Sequence, residues 1–148
     1  MQSSVLEIER PDVQAAMVDT ARFQSIDEFP RILIADDDPW IVRLLVDHCV
    51  KLGFEVDTAS DGIQAFLRAR RGKPDILMID VNMPELDGLT VCAHLLDADR
   101  APFNLIVISG SRDPLMPQRC KGFGAYYARK GPDFWDDVDA ALAEIHPE

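Results

Sequence analysis

Groups able to do chemistry stand where apolar runs of this chain stop. Asp36, Asp37 and Asp38 follow directly on Ile32 to Ala35 in "RILIADDDPW", Asp80 ends "DILMID", Ser109 ends "NLIVIS", and Lys130 follows "YYAR". Three adjacent carboxylates repel one another, and in a low-dielectric setting that crowding raises their pKa values and destabilises the fold unless a cation or hydrogen-bond donors neutralise it. Carboxylates together with backbone carbonyls make a hard, oxygen-rich donor set of the kind magnesium takes, about six oxygens near 2.1 Å with several of them water. A divalent cation beside a lysine points to phosphoryl transfer, in which positioning and charge neutralisation do most of the catalysis. Asp80 is the candidate nucleophile, because it stands alone at the end of the most apolar run and is followed by "VNMPELDG", where Pro84 and Gly88 set the path of the loop. It would form an aspartyl phosphate. Ser109 would then hydrogen-bond one phosphoryl oxygen and Lys130 would pair with another.

For these residues to meet, the elements carrying them must deliver them to one edge. From Pro30 onward a short apolar run followed by a helical stretch recurs five times, with runs at Ile32 to Ala35, Phe54 to Thr58, Ile76 to Ile79, Leu105 to Ile108 and Tyr126 to Arg129. Strands this short and apolar suit a parallel sheet covered by helices on both faces, and the alternation makes the fold α/β and doubly wound. In such a sheet every strand sends its C-terminal end to the same edge, where ligands bind. Asp36, Asp37, Asp80, Ser109 and Lys130 therefore converge despite their separation in sequence. The first helix has clear limits: Asp38 caps it, Pro39 suits its first turn and Gly53 stops it.

Composition narrows the partners. The chain of 148 residues carries a formal net charge of -11 with 47% hydrophobic residues, which argues for one acidic globular domain and against non-specific binding to nucleic acid or anionic membrane. Cys49, Cys92 and Cys120 are odd in number and form no CxxC pair, so a reduced, cytoplasmic chain is expected. No stretch is long and apolar enough to span a membrane, and the N-terminus lacks the pattern of a signal peptide. Residues 1–29 read as an N-terminal extension, within which "PDVQAAMVDTARF" sets Val13, Ala16, Met17 and Ala21 at helical spacing. Residues 30–148 read as the domain proper.

The ordered set "ILIADDDP", "DILMIDVNMPELDG", "LIVISG" and "YYARKG" resembles the receiver domain of two-component response regulators, over about Arg31 to Ile145. The resemblance implies a flavodoxin-like five-stranded sheet of order 2-1-3-4-5. It implies Asp80 as phosphoacceptor, with Asp37 binding magnesium directly, Asp36 acting mainly through water and Asn82 supplying a backbone carbonyl. Ser109 and Lys130 would contact the phosphoryl group, and Tyr127 would be the aromatic that changes rotamer, with Tyr126 competing for that assignment. The phosphodonor would be a sensor histidine kinase or phosphotransfer protein of a bacterial two-component system. The response would pass to a downstream protein or output domain through the face made by the fourth helix, fifth strand and fifth helix. The chain would act as a phosphorylated signalling protein, not an enzyme beyond its own phosphorylation and dephosphorylation.

Two departures from the family pattern stand out. Lys130 is followed by "GP" where a proline is usual, which puts the turn after the lysine in doubt, and Pro114 and Pro117 fall where a regular fourth helix is expected, predicting a short, late or irregular one. Two rival functions remain. A magnesium-dependent phosphohydrolase with an aspartate nucleophile would want a second carboxylate two residues after Asp80, where Asn82 stands. A receiver-like interaction module would use the fold without phosphorylation. A flavin-binding protein of this topology ranks last, because the acidic edge would repel the cofactor phosphate. His48, His94 and His146 read as surface or packing residues on helices, and Trp135, Val138, Leu142 and Ile145 as one core-facing stripe of the last helix. No DNA-binding motif fits beyond that helix, so either a stand-alone receiver or a missing output region is expected. The oligomeric state stays open, a homodimer included.

Overall fold

The computed structural model describes residues 29–97 and 104–147. The elements alternate as β1 (Arg31–Ala35), α1 (Pro39–Lys51), β2 (Glu55–Ala59), α2 (Gly62–Gly72), β3 (Ile76–Asp80), α3 (Gly88–Asp97), β4 (Asn104–Ser109), α4 (Met116–Gly122), β5 (Tyr126–Arg129) and α5 (Phe134–Ile145). The strands form one parallel sheet, as expected from the apolar runs, in the order β2-β1-β3-β4-β5 that the resemblance implied. β3 lies in the middle and is buried at every position, whereas the edge strand β2 is exposed or half-buried at four of its five. Val56 and Thr58 of β2 are the half-buried residues between its exposed ones, which is why its run was the least apolar of the five. The extension ahead of Phe29, with its expected helix, lies outside the described residues.

The helices cover the sheet on both faces. One apolar cluster joins Leu33, Leu77, Ile79 and Val107 to α2, α3 and α4, and a second joins Ile32, Ile34, Met78, Ile106 and Ile108 to α1 and α5. Alternation along each strand explains the division, since successive side chains point to opposite faces. Cys49, Cys92 and Cys120 are free and buried within these clusters. Among the described residues no helix is long and apolar enough to cross a membrane.

α5 departs from its expected facing. Phe134, Val138, Ala141 and Leu142 are buried and Ile145 is half-buried, while Trp135 is 37% exposed. The helix begins at Phe134, so that residue takes the inward position and Trp135, one step round, falls on the rim. There its ring lies 4.7 Å from the His48 ring, and His48 Nε2 meets Asp139 Oδ1 at 2.6 Å. His48 is thus a packing residue joining α1 to α5. His94 is exposed on α3, and His146 caps α5 instead of lying within it.

α4 is short and late, as the prolines require. Between Ser109 and Met116 the backbone is held by a series of local bonds: Ser109 Oγ accepts from the Ser111 amide at 2.9 Å, Ser111 Oγ from the Asp113 amide at 3.0 Å, and Asp113 Oδ1 from the Leu115 amide at 2.9 Å. Short polar side chains that bond the backbone two residues on compete with helical bonding. The helix starts only where this series ends.

Candidate functional site

The three consecutive aspartates take three different positions as β1 gives way to α1. Asp38 caps the helix, its Oδ1 accepting from the Trp40 amide at 2.9 Å. Asp36, 1% exposed, accepts from the Asp38 amide on Oδ1 at 3.0 Å and from Lys130 Nζ on Oδ2 at 2.8 Å. Asp37 points outward and is exposed. Asp80 arrives from the neighbouring strand, 4% exposed, with Oδ1 3.1 Å from the same Lys130 Nζ. One carboxylate oxygen each from Asp36, Asp37 and Asp80 lies within 4.8 Å of the others. The lysine therefore joins two buried carboxylates, and the third lies at the mouth.

Electrostatics follow from this crowding. Burial, then the charge of Asp36 and to a smaller degree that of Asp37, raises Asp80 from the ordinary 3.8 to about 6, against the opposing pull of Lys130. Burial disfavours the Lys130 ammonium, but the hydrogen bond to Asp36 and the charges of Asp80 and Asp36 outweigh it and raise its pKa. At neutral pH Asp80 is mostly ionised and Lys130 fully charged. Two buried carboxylates share one ammonium, which leaves the pocket short of positive charge. A hard oxygen donor set with such a deficit fits a divalent cation.

The loop after Asp80 is fixed by close backbone approaches. The Val81 amide donates to the Ile108 carbonyl at 3.0 Å and the Gly88 amide to the Val81 carbonyl at 2.8 Å. A Cβ on Gly88 would sit 2.2 Å from the Asp80 carbonyl oxygen, and one on Gly62 would sit 1.7 Å from that of Leu86. Only glycine allows α2 and α3 to begin that near the loop. Gly62 was missed in sequence, although "SDG" and "LDG" at the two helix starts carry the same signal. The Asn82 side chain is exposed. Arg68 was also missed: its guanidinium donates to the Thr58 carbonyl and lies 3.6 Å from Asp57, steadying β2 beside the cleft that opens onto Asp36 and Asp37.

Ser109 ends β4, fully buried, with its hydroxyl accepting from Ser111 rather than bonding to Asp80 or Lys130 among the described residues. Its carbonyl accepts from the Lys130 amide at 2.8 Å, so the ends of β4 and β5 are tied to each other. A hydroxyl that accepts one bond still has a proton to donate. Alternation along β5 separates the two tyrosines. Tyr126 packs with the α1 and α5 cluster, and Tyr127 with the α3 and α4 cluster. The Tyr127 hydroxyl is buried without a hydrogen bond of good geometry. Burial raises its pKa, Cys120 adds to the rise, and the nearby Ser109 partly offsets it. The ring lines a cleft with Ser111, Asp113, Pro114, Pro117 and Arg129. After Lys130 the chain turns through Gly131 and Pro132 into α5, with the Phe134 amide donating to the Gly131 carbonyl at 3.1 Å.

Residues 32–128 match the family model described as the response regulator receiver domain. Over 65 residues the chain is 45% identical to the alkaline phosphatase synthesis transcriptional regulatory protein PhoP of Bacillus subtilis, covering 44% of this chain and 27% of that protein. Over 119 residues it is 35% identical to a protein-glutamate methylesterase/protein-glutamine glutaminase of Archaeoglobus fulgidus, covering 78% of this chain and 32% of that one. The chain thus spans about a third of the length of these relatives. Among solved structures, a chain of the CheX-CheY-BeF3-Mg complex from Borrelia burgdorferi matches with a TM-score of 0.70 and 26% identity, over 78% of this chain and 88% of that chain. The signal receiver domain of the response regulator NarL from Mycobacterium tuberculosis has the same fold, with a TM-score of 0.71 and 24% identity over 82% of this chain and 99% of that one.

Proposed function

Because this chain belongs to the response regulator receiver family, we propose that it accepts a phosphoryl group on Asp80 from a sensor histidine kinase or phosphotransfer protein and presents a switched face to a downstream partner. The observation that carries this reading is the position of Lys130, whose Nζ lies 2.8 Å from Asp36 and 3.1 Å from Asp80. That arrangement holds a positive charge beside a carboxylate oxygen at the sheet edge, where an incoming phosphoryl group would bring further negative charge. Magnesium fits the donor set of Asp36, Asp37 and Asp80 with the Asn82 carbonyl, and when bound there it supplies neutralisation of the acceptor and phosphoryl charges.

The residues of the chain divide the remaining work. The ionised Asp80 attacks phosphorus, forming an O–P bond as the P–N bond to the donor imidazole breaks, and the leaving nitrogen takes up a proton. With its pKa at about 6, roughly nine in ten Asp80 side chains are nucleophilic at pH 7. Lys130 pairs with a phosphoryl oxygen, and Ser109 donates its proton to another while still accepting from Ser111. Both groups begin connections between elements: Ser109 opens the side-chain-bonded loop before α4, and Lys130 precedes Gly131. Phosphorylation would shift the population of states on the α4, β5 and α5 face, including the cleft at Tyr127.

Incubating the full chain with magnesium and an acyl phosphate tests the reading. A stable gain of one phosphoryl group in the intact mass, absent in Asp80→Asn, is expected. Continuous release of phosphate would assign a hydrolase instead, and no reaction with this donor or with a phosphohistidine protein would leave an interaction module.

A further inference from the structure

β2 stands at one edge of the sheet, with β1 as its neighbour on the other side. The Glu55 amide donates to the Pro30 carbonyl at 2.9 Å, and the Ala59 carbonyl accepts from the Asp36 amide at 3.1 Å. Each residue of a strand turns its amide and its carbonyl to the same side, and successive residues alternate. Glu55, Asp57 and Ala59 therefore face β1, in the register that pairs them with Arg31, Leu33 and Ala35. Val56 and Thr58 turn theirs to the free edge. A row of such groups is a template on which another chain can build a strand.

Side chains occupy part of this row. Asp57 Oδ1 accepts from the Thr58 amide at 2.9 Å, and the Arg68 guanidinium, reaching over from α2, donates to the Thr58 carbonyl. The same Asp57 oxygen lies 3.6 Å from Arg68 Nη1, so the two side chains close on each other across Thr58. One residue pair thus offers Thr58 the acceptor and the donor that a neighbouring strand would bring. Water could satisfy both groups equally well. What the carboxylate and the guanidinium add is occupation of the place where a strand would lie.

The row is complementary to itself. An antiparallel pair of β2 strands with its two-fold axis at Asp57 sets Val56 of each copy against Thr58 of the other, and each such pair can exchange both backbone bonds. The same register sets Asp57 against its own copy, and like charges directly opposite each other destabilise a strand pair. Asp57 therefore opposes the pairing twice, by holding the Thr58 amide and by its charge.

We infer that the free edge of β2 is a strand-pairing surface for a second copy of this chain, and that Asp57 and Arg68 hold it shut. Both side chains are exposed, and an exposed ion pair is weak and screened by salt, so the edge is guarded loosely. Neither residue belongs to the pocket of Asp36, Asp80 and Lys130, and the inference does not depend on phosphorylation of Asp80.

Sedimentation velocity of the full-length chain over a wide range of concentration reads the pairing. The Asp57→Ala/Arg68→Ala double variant should self-associate at least about tenfold more tightly than the parent chain. Val56→Pro takes away a donor that faces the free edge and leaves the bonds to β1, a position where an edge strand accepts proline. Added to the double variant, it should return association to the parent's level, with far-ultraviolet circular dichroism showing the fold retained. Amide hydrogen exchange of the double variant needs no further substitution: exchange at Val56 and Thr58 should slow as protein concentration rises. A double variant that associates no more than the parent would overturn the inference. So would association that leaves exchange at Val56 and Thr58 unchanged, because the contact would then lie on another surface.

Discussion

Replacing the Asp80 carboxylate by its amide should stabilise this protein, even though it would remove the proposed nucleophile. Asp80 is buried at the end of the central strand and ionises at about 6 instead of 3.8. Between those values the native state binds more protons than the unfolded chain, so stability falls as pH rises through the window, and the penalty is fully present above it. At about 1.4 kcal/mol per pH unit of that displacement, the ionised side chain costs about 3 kcal/mol at pH 7.5. Asp80→Asn keeps the shape and removes the charge, while Lys130 retains Asp36 at 2.8 Å. Urea denaturation in the presence of a chelator should therefore show the variant about 3 kcal/mol more stable at pH 7.5, equivalent to about 10 °C in the melting midpoint. Near pH 4 the two proteins should differ little. A gain of the same size at both pH values, or a loss at pH 7.5, would refute the electrostatic account. Magnesium should narrow the gap by stabilising the parent protein alone.

Other substitutions separate the parts of the pocket. Lys130→Met leaves Asp36 and Asp80 facing each other without the shared ammonium; it should cost about 1–3 kcal/mol at pH 7.5 in chelator and sharply slow labelling by an acyl phosphate. Gly88→Ala drives a Cβ to 2.2 Å from the Asp80 carbonyl oxygen, so chemical denaturation should show a loss of about 1–3 kcal/mol, with slower phosphorylation as the loop shifts. Asp37→Ala should weaken magnesium binding strongly in a calorimetric titration. Asp38→Ala should cost about 1 kcal/mol of stability as a lost cap with affinity nearly unchanged, and equal affinities in those two variants would undo the division of labour among the three aspartates.

The parallel sheet was legible in the sequence because strands buried on both faces must be apolar throughout, and each run ended at a residue with chemistry to offer. Asp36, Asp37, Asp80 and Lys130 could be assembled from topology alone, since a parallel sheet delivers all its strand ends to one edge. Facing within α5 was misjudged because it depends on where the helix starts. With Pro132 and Asp133 taken up by the turn, Phe134 occupies the inward position that Trp135 was expected to hold. The choice between Tyr126 and Tyr127 rests on which face of β5 meets α4, and two adjacent tyrosines carry no sign of it. The bond from Ser109 Oγ to the Ser111 amide and the approach of Gly62 to Leu86 depend on loop paths that side-chain pattern does not encode.

The two apolar clusters share no side chain: residues of α2, α3 and α4 pack on one side of the sheet and those of α1 and α5 on the other. Effects of changes in separate, non-touching groups tend to add, so a lineage can rewrite one face of this domain while the other drifts little. Asp80 stands at the end of β3, the strand both faces share. The surfaces of the two faces can therefore change one at a time, with the carboxylate edge between them held in common.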